Sequence, residues 1–149
     1  ERMHEALWSK PPLPLDLLVF EGWFLGTPAE EESALQAPVN PLERDADPAG
    51  QWRRWCNQQL ATHYPALWQR CDRLWFLQPP DFTVVPRWRW QQEQNLQAAQ
   101  PGRTGMTRPQ LDRFVQFYER VSRHALRSLP GLADHVVALD AERRIVAVR

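Results

Sequence analysis

Glycine is scarce in this chain, with six in 149 residues, and the basic side chains are almost all arginine, since Lys10 is the only lysine. Together these shortages exclude a phosphate-cradling loop of the GxxxxGK[ST] kind, which needs spaced glycines and a lysine. Gly102 and Gly105 read instead as a turn ahead of a helix. Cysteine is limited to Cys56 and Cys71, at neither CxxC nor zinc-ligand spacing, and His4, His63, His124 and His135 are scattered, so no protein-ligated metal cage is expected. No apolar run approaches the ~20 residues that span a bilayer, and the charged first residues lack the core of a signal peptide. Cytoplasmic residence with free thiols is the expectation, with no membrane partner. Charge of either sign is not in excess: the formal net charge is zero, which argues against a nucleic-acid partner. The GxSxG elbow of hydrolases is missing as well.

What is present is a set of alternating strand and helix signals. Met3 to Trp8 reads as the end of a helix, and Lys10 to Pro14 as an extended lead-in. Asp16 to Glu21 contains the apolar run Leu17–Leu18–Val19–Phe20 and predicts a buried strand. Residues 26–50, acidic and rich in proline, predict a long loop with at most a short helical turn. From Gln51 to Cys71 the apolar residues recur at helical spacing, with Pro65 kinking the helix or starting a second one. Arg73 to Gln78 reads as a short strand and Arg87 to Gln100 as a polar helix. Thr107, Pro109 and Gln110 form a capping-box signature. The stripe Leu111, Phe114, Val115, Tyr118, Val121, Ala125, Leu126 and Leu129 then marks a core-facing helix ending near Pro130–Gly131. His135–Leu139 and Arg144–Val148 predict two strands around a turn. The order implies a single α/β domain over residues 1–149 with a mostly parallel sheet.

In such sheets ligands bind at the carboxyl ends of strands. An acid there, Glu21, is placed where a phosphotransferase holds magnesium, directly or through water; it could equally be a solvated residue before a Gly turn. Arg87–Trp88–Arg89–Trp90 offers guanidinium groups at the start of a polar helix, suited to a lid over phosphates. The simpler alternative is an Arg89–Glu93 pair on one helix face.

Several segments resemble, in order, the plant-type D-glycerate 3-kinases and their uridine kinase-like P-loop relatives. Val19-Phe20-Glu21-Gly22-Trp23-Phe24-Leu25-Gly26 looks like the family's FEGW-x-x-G segment. Asn40-Pro41-Leu42-Glu43 is similar to its Asn- and Leu-containing loop. Gly50-Gln51-Trp52-Arg53 with Asn57 and Leu60 looks like G-x-W-R-x-x-x-N-x-x-L. Trp88-Arg89 with Gln92-Glu93, then Gly105-Met106-Thr107 and Tyr118-Glu119-Arg120, continue the match.

The resemblance implies a parallel-sheet, three-layer α/β/α P-loop kinase-like fold, incomplete at its N-terminal side because no Walker A segment is present. It implies ATP and Mg as cofactors of an intact parent, with Glu21 as the magnesium acid. Arg89, and with it Arg87, would act on the phosphates from a lid spanning about 84–106. Trp23, Asn40, Asn57 and Tyr118 become candidate acceptor-pocket residues. The implied reaction is phosphorylation of a hydroxyl on a small hydroxy-acid or sugar-like substrate, glycerate foremost, with the chain alone expected to be inactive. A non-catalytic interaction module derived from such a kinase is the alternative. In this fold the phosphate-loop strand lies between the Glu21 strand and the Arg73 strand, so open sheet edges and a homodimer through them are further expectations.

Overall fold

The computed structural model describes residues 9, 13–100, 102 and 104–149. The helix expected at Met3–Trp8, and residues 10–12 of the proline-rich lead-in, lie outside them. The elements are a 3-10 turn (Glu32–Leu35), α1 (Pro41–Ala46), α2 (Gln51–Thr62), α3 (Pro65–Trp68), β1 (Trp75–Gln78), α4 (Val84–Ala99), α5 (Arg108–Ser128), a second 3-10 turn (Leu129–Gly131), β2 (His135–Leu139) and β3 (Ile145–Val148).

The sheet has the order β1-β2-β3. β1 and β2 run parallel, Trp75 beside His135 and Leu77 beside Val137, while β2 and β3 form an antiparallel hairpin. The chain is thus α/β with a small mixed sheet. Residues 17–22 form no strand, contrary to the sequence expectation. Leu17, Leu18 and Val19 are 77–78% exposed. An apolar run becomes a strand only when a neighbour takes up its backbone groups. Among the described residues β1 pairs with β2 alone.

Helix α5 carries the core. Its first turn holds a complete capping box: the Thr107 hydroxyl accepts the Gln110 N–H, and the Gln110 side chain accepts the Thr107 N–H at 2.8 Å. The stripe read from the sequence then packs inward. Leu111 and Val115 are buried with Phe82, against which Val85, Trp90, Met106, Phe114 and Leu126 close. Pro65 starts the separate helix α3, as its ring requires.

The acidic segment expected to be a loop is built into α1, the 3-10 turn and the contacts of two arginines, Arg53 buried and Arg120 half-buried. Arg53, 4% exposed, donates to the carbonyls of Leu35 (2.6 Å), Gln36 (3.1 Å) and Asp47 (2.8 Å). Arg120 of α5 forms a two-toothed pair with Glu43 (2.8 and 2.7 Å) and also reaches Glu30 and the carbonyls of Ala34 and Ala37. Since Gly50 offers α2 no capping side chain, the Asp47 carboxylate accepts the N–H groups of Trp52 and Arg53 instead. No helix among the described residues is long and apolar enough to cross a membrane.

Burial by itself would raise the Glu43 carboxyl, but hydrogen bonds from Arg120 and the Val39 N–H, with the Arg120 charge, hold it below its ordinary value of 4.5. A depressed folded-state value means a contribution complete above 4.5 and lost as pH falls through the folded value. Urea unfolding should therefore show wild-type stability dropping below about pH 5 more steeply than that of Glu43→Gln. At neutral pH, Arg120→Ala should cost ~3 kcal/mol, because it removes both guanidinium bonds to Glu43 and leaves the carbonyls of Ala34 and Ala37 unmet, while Glu30 keeps Arg127.

Candidate functional site

The tight turn after Glu21 places an aromatic cluster. Thr27 N–H bonds the Phe24 carbonyl at 3.0 Å. Gly26 sits at φ +74°, where a side chain would be strained, and a Cβ there would also have to displace a Leu74 methyl 2.6 Å away. Phe24 itself has φ +66°, a conformation costly for an aromatic residue. Its ring is stacked on Tyr118 of α5, with centroids 6.0 Å apart and planes 15° from parallel. Trp23 meets Tyr118 edge to face at 5.6 Å, and Phe114, one turn earlier on α5, lies 5.1 Å from the same tyrosine.

Arg89 of α4 closes this cluster. Its guanidinium carbon lies 5.2 Å from the Trp23 ring centre and 5.7 Å from that of Phe114. Gln92 accepts from one terminal nitrogen. The Nε atom is buried and has no hydrogen-bond partner. A desolvated guanidinium N–H without an acceptor is costly, and an anionic oxygen would satisfy it. Of the sequence candidates, the structure therefore brings together Trp23, Tyr118 and Arg89, two residues beyond the exposed Glu21 in the case of Trp23. The helix-face pair considered for Arg89 with Glu93 is replaced by Gln92. Phe24 and Phe114 are not singled out as site residues by the sequence, which places Phe114 in the core-facing stripe with Tyr118 and Phe24 within the FEGW-x-x-G segment.

The other candidates are placed elsewhere. Arg87 donates to the Ala141 carbonyl and lies 3.8 Å from Glu142, tying α4 to the β2–β3 turn with Trp88, whose Nε1 bonds the same carbonyl at 2.9 Å. Asn40 caps α1 through the Glu43 N–H (2.9 Å) and donates to the Gln116 carbonyl and the Glu119 carboxylate on α5. Asn57 makes a reciprocal pair with the Glu30 backbone, 2.7 and 2.9 Å. Both amides are thus occupied by the chain itself. Buried Glu93 accepts the Met106 N–H at 2.9 Å and so pins the α4–α5 connection.

For magnesium, Glu21 offers one carboxylate, and no group of three or more His, Cys, Asp or Glu side chains among the described residues could hold a metal. One carboxylate suits an ion that keeps most of its waters and takes nucleotide oxygens. A recess of about 390 Å³, lined by Glu93, Thr104, Gly105, Met106 and Gln110, includes none of the candidates. A second of about 190 Å³ lies between Leu42, Ala46, Trp52 and Phe117. Asn40→Ala should lower unfolding stability by about 1–2 kcal/mol in urea, the size of a lost helix cap.

No protein-family model matches the chain. An uncharacterized kinase of Schizosaccharomyces pombe, mug58, is 28% identical over 125 residues, covering 79% of this chain and 41% of that protein. The chloroplastic D-glycerate 3-kinase of Arabidopsis thaliana is 27% identical over 121 residues, again 79% of this chain but 23% of that protein. Among solved structures, a D-glycerate 3-kinase from Cryptococcus neoformans var. grubii superposes with a TM-score of 0.68 at 26% identity, over 91% of this chain and 50% of that one. The YGR205w protein, at 20% identity and a TM-score of 0.55, shares the fold over 86% of this chain and 45% of its own. The chain thus spans half or less of the length of these proteins. In sequence and in fold it is similar to one part of the D-glycerate 3-kinases and their kinase relatives.

Proposed function

We infer that these residues form part of an ATP-dependent kinase that phosphorylates a hydroxyl of a small hydroxy acid, with a glycerate-like acceptor as the leading substrate. The observation that carries this reading is the Arg89 guanidinium, which lies over the rings of Trp23 and Phe114 with its Nε buried and unsatisfied; Trp23 follows Glu21 by two residues. Phosphoryl transfer asks little covalent chemistry of a protein; it asks for positioning and for charges aimed at the transferring group.

Arg89 would supply such a charge, pre-oriented by the two rings and by Gln92, so that little reorganisation is needed when an anion arrives. Glu21 would hold one position on the magnesium, and the nucleotide with its ion would supply the transferable phosphoryl group and further charge neutralisation. The rings of Trp23, Phe24, Phe114 and Tyr118 would exclude water beside Arg89. The segment from α4 to Met106, braced by Glu93, would act as the cover that presents Arg89. The backbone cradle for the β- and γ-phosphates has no counterpart in these residues and would come from a Walker A segment outside them. Asn40 and Asn57 would shape the acceptor side indirectly, by fixing α1 and residue 30 against α5 and α2.

Two measurements test the reading. Calorimetric titration of the 149-residue chain with Mg·ATP should give no saturable heat at millimolar nucleotide; saturable binding would mean a phosphate site built without a Walker A loop. In a polypeptide that adds a Walker A segment ahead of Glu1, ADP release with a hydroxy-acid panel should reveal turnover. Arg89→Met should then reduce kcat about 100- to 1,000-fold, with the thermal midpoint little changed. Turnover indifferent to both Arg89→Met and Glu21→Gln would sink the assignment.

A further inference from the structure

The turn between β2 and β3 grips helix α4 at the residue next to Arg89. The turn is closed by the Arg143 N–H on the Asp140 carbonyl at 3.0 Å, and the Asp140 carboxylate accepts the N–H groups of Glu142 (2.9 Å) and Arg144 (2.8 Å). Arg143 stands at φ +66°, the left-handed position that ends such a hairpin loop, where glycine or asparagine is at ease and arginine is not. The turn itself gains nothing from an arginine there. What the side chain adds is a hold on Trp88: its guanidinium carbon lies 5.1 Å from the Trp88 ring centre, and Nη2 donates to the Trp88 carbonyl at 3.2 Å. In return the Trp88 Nε1 donates to the Ala141 carbonyl at 2.9 Å, which Arg87 also reaches.

Trp88 is therefore held at its ring, its carbonyl and its indole N–H by one turn. Successive helix residues project about 100° apart, so fixing the direction of Trp88 fixes that of Arg89 as well. The contacts of Arg89 itself cannot do this. Gln92, its hydrogen-bond partner, belongs to the same helix and turns with it. Its contacts with the Trp23 and Phe114 rings tolerate a range of approach.

We propose that Arg143 and Trp88 are positioning residues for Arg89: the β2–β3 turn sets the rotation of α4 through Trp88, and that rotation aims the Arg89 guanidinium. This role rests on the reading of Arg89 as a charge that meets the transferred phosphoryl group. A group that works by orientation is sensitive to small displacements, since a shift of ~1 Å can cost as much as ~100-fold in rate. Arg143 acts on the reaction only through the helix it holds.

Arg143→Gly tests this, because glycine accepts the left-handed backbone and keeps the turn while removing the hold on Trp88. In the 149-residue chain, amide hydrogen exchange over residues 88–92 should be about 5-fold faster in the variant, with the thermal midpoint and the exchange of α5 unchanged. In the polypeptide that includes a Walker A segment, Arg143→Gly should lower kcat about 10-fold with the acceptor KM little altered. Added to Arg89→Met it should have no further effect, since it acts through the side chain already removed. Unchanged exchange over residues 88–92 overturns the proposal, and so does a loss from Arg143→Gly that adds in full to that of Arg89→Met. A reduced Arg89→Met turnover beside an undiminished Arg143→Gly one overturns this role alone. Arg89→Met turnover at the wild-type level overturns the reading of the site, and this role with it.

Discussion

Arg120 holds the N-terminal third of this structure to the rest. From one side chain on α5 it binds Glu43, Glu30 and the carbonyls of Ala34 and Ala37, so α1 and the 3-10 turn are fixed by a group that is itself fixed by a long capped helix. Few side chains but arginine could do this, because its five donors lie in a plane and remain charged when water is removed. Arg53 repeats the device from α2, closing the carbonyls of Leu35, Gln36 and Asp47. The acidic, proline-rich segment has little apolar surface to bury, with Leu35 and Leu42 its main anchors, and buried guanidinium pairs take the place of a larger core. Glu30 ties this network to α2 and to the later part of α5: its backbone is held by Asn57 and its carboxylate by Arg120 and Arg127.

The site rests on the same helix. Tyr118 and Phe114 project from α5 within two turns of Arg120 and receive the turn that carries Trp23 and Phe24. A strained Phe24 is tolerated because its ring has a stacking partner and its carbonyl closes a turn. Arg89 then rests on two aromatic faces with one donor unsatisfied. Strain and an unpaired buried donor are stability costs of the kind found at functional positions. Their coincidence around one guanidinium is what distinguishes this cluster from ordinary aromatic packing elsewhere in the chain, such as the exposed Trp52–Trp55 stack.

Much of this was legible in the residues and some was not, for definable reasons. The capping box at Thr107, the stripe of α5, the break at Pro65 and the hairpin near Asp140 are short-range signals, and each stands where the spacing places it. Residues 17–20 carry the composition of a buried strand, yet they are exposed, because a strand depends on a neighbour that composition cannot supply. Asn40 and Asn57 were singled out as pocket residues, and the structure shows their amides bonded within the chain, Asn40 to the α1 cap and to α5 and Asn57 to the Glu30 backbone. An asparagine near a helix start serves as a cap or a ligand with the same chemistry, and only the path of the chain says which atoms it meets.

The sequence by itself determined the local elements, through periodicity, proline and capping hydroxyls, and it determined the absence of a glycine-rich phosphate loop. It also placed the Glu21, Arg89 and Tyr118 segments in the order found in glycerate 3-kinase relatives. Only the tertiary structure decided which of these meet. Arg89 reaches Trp23 across 66 positions of chain and Arg120 reaches Glu43 across 77. Contacts of that range are set by how helices and strands pack, where a shift of one residue in register redirects a side chain to another face. Local propensity acts over a few residues and cannot specify them.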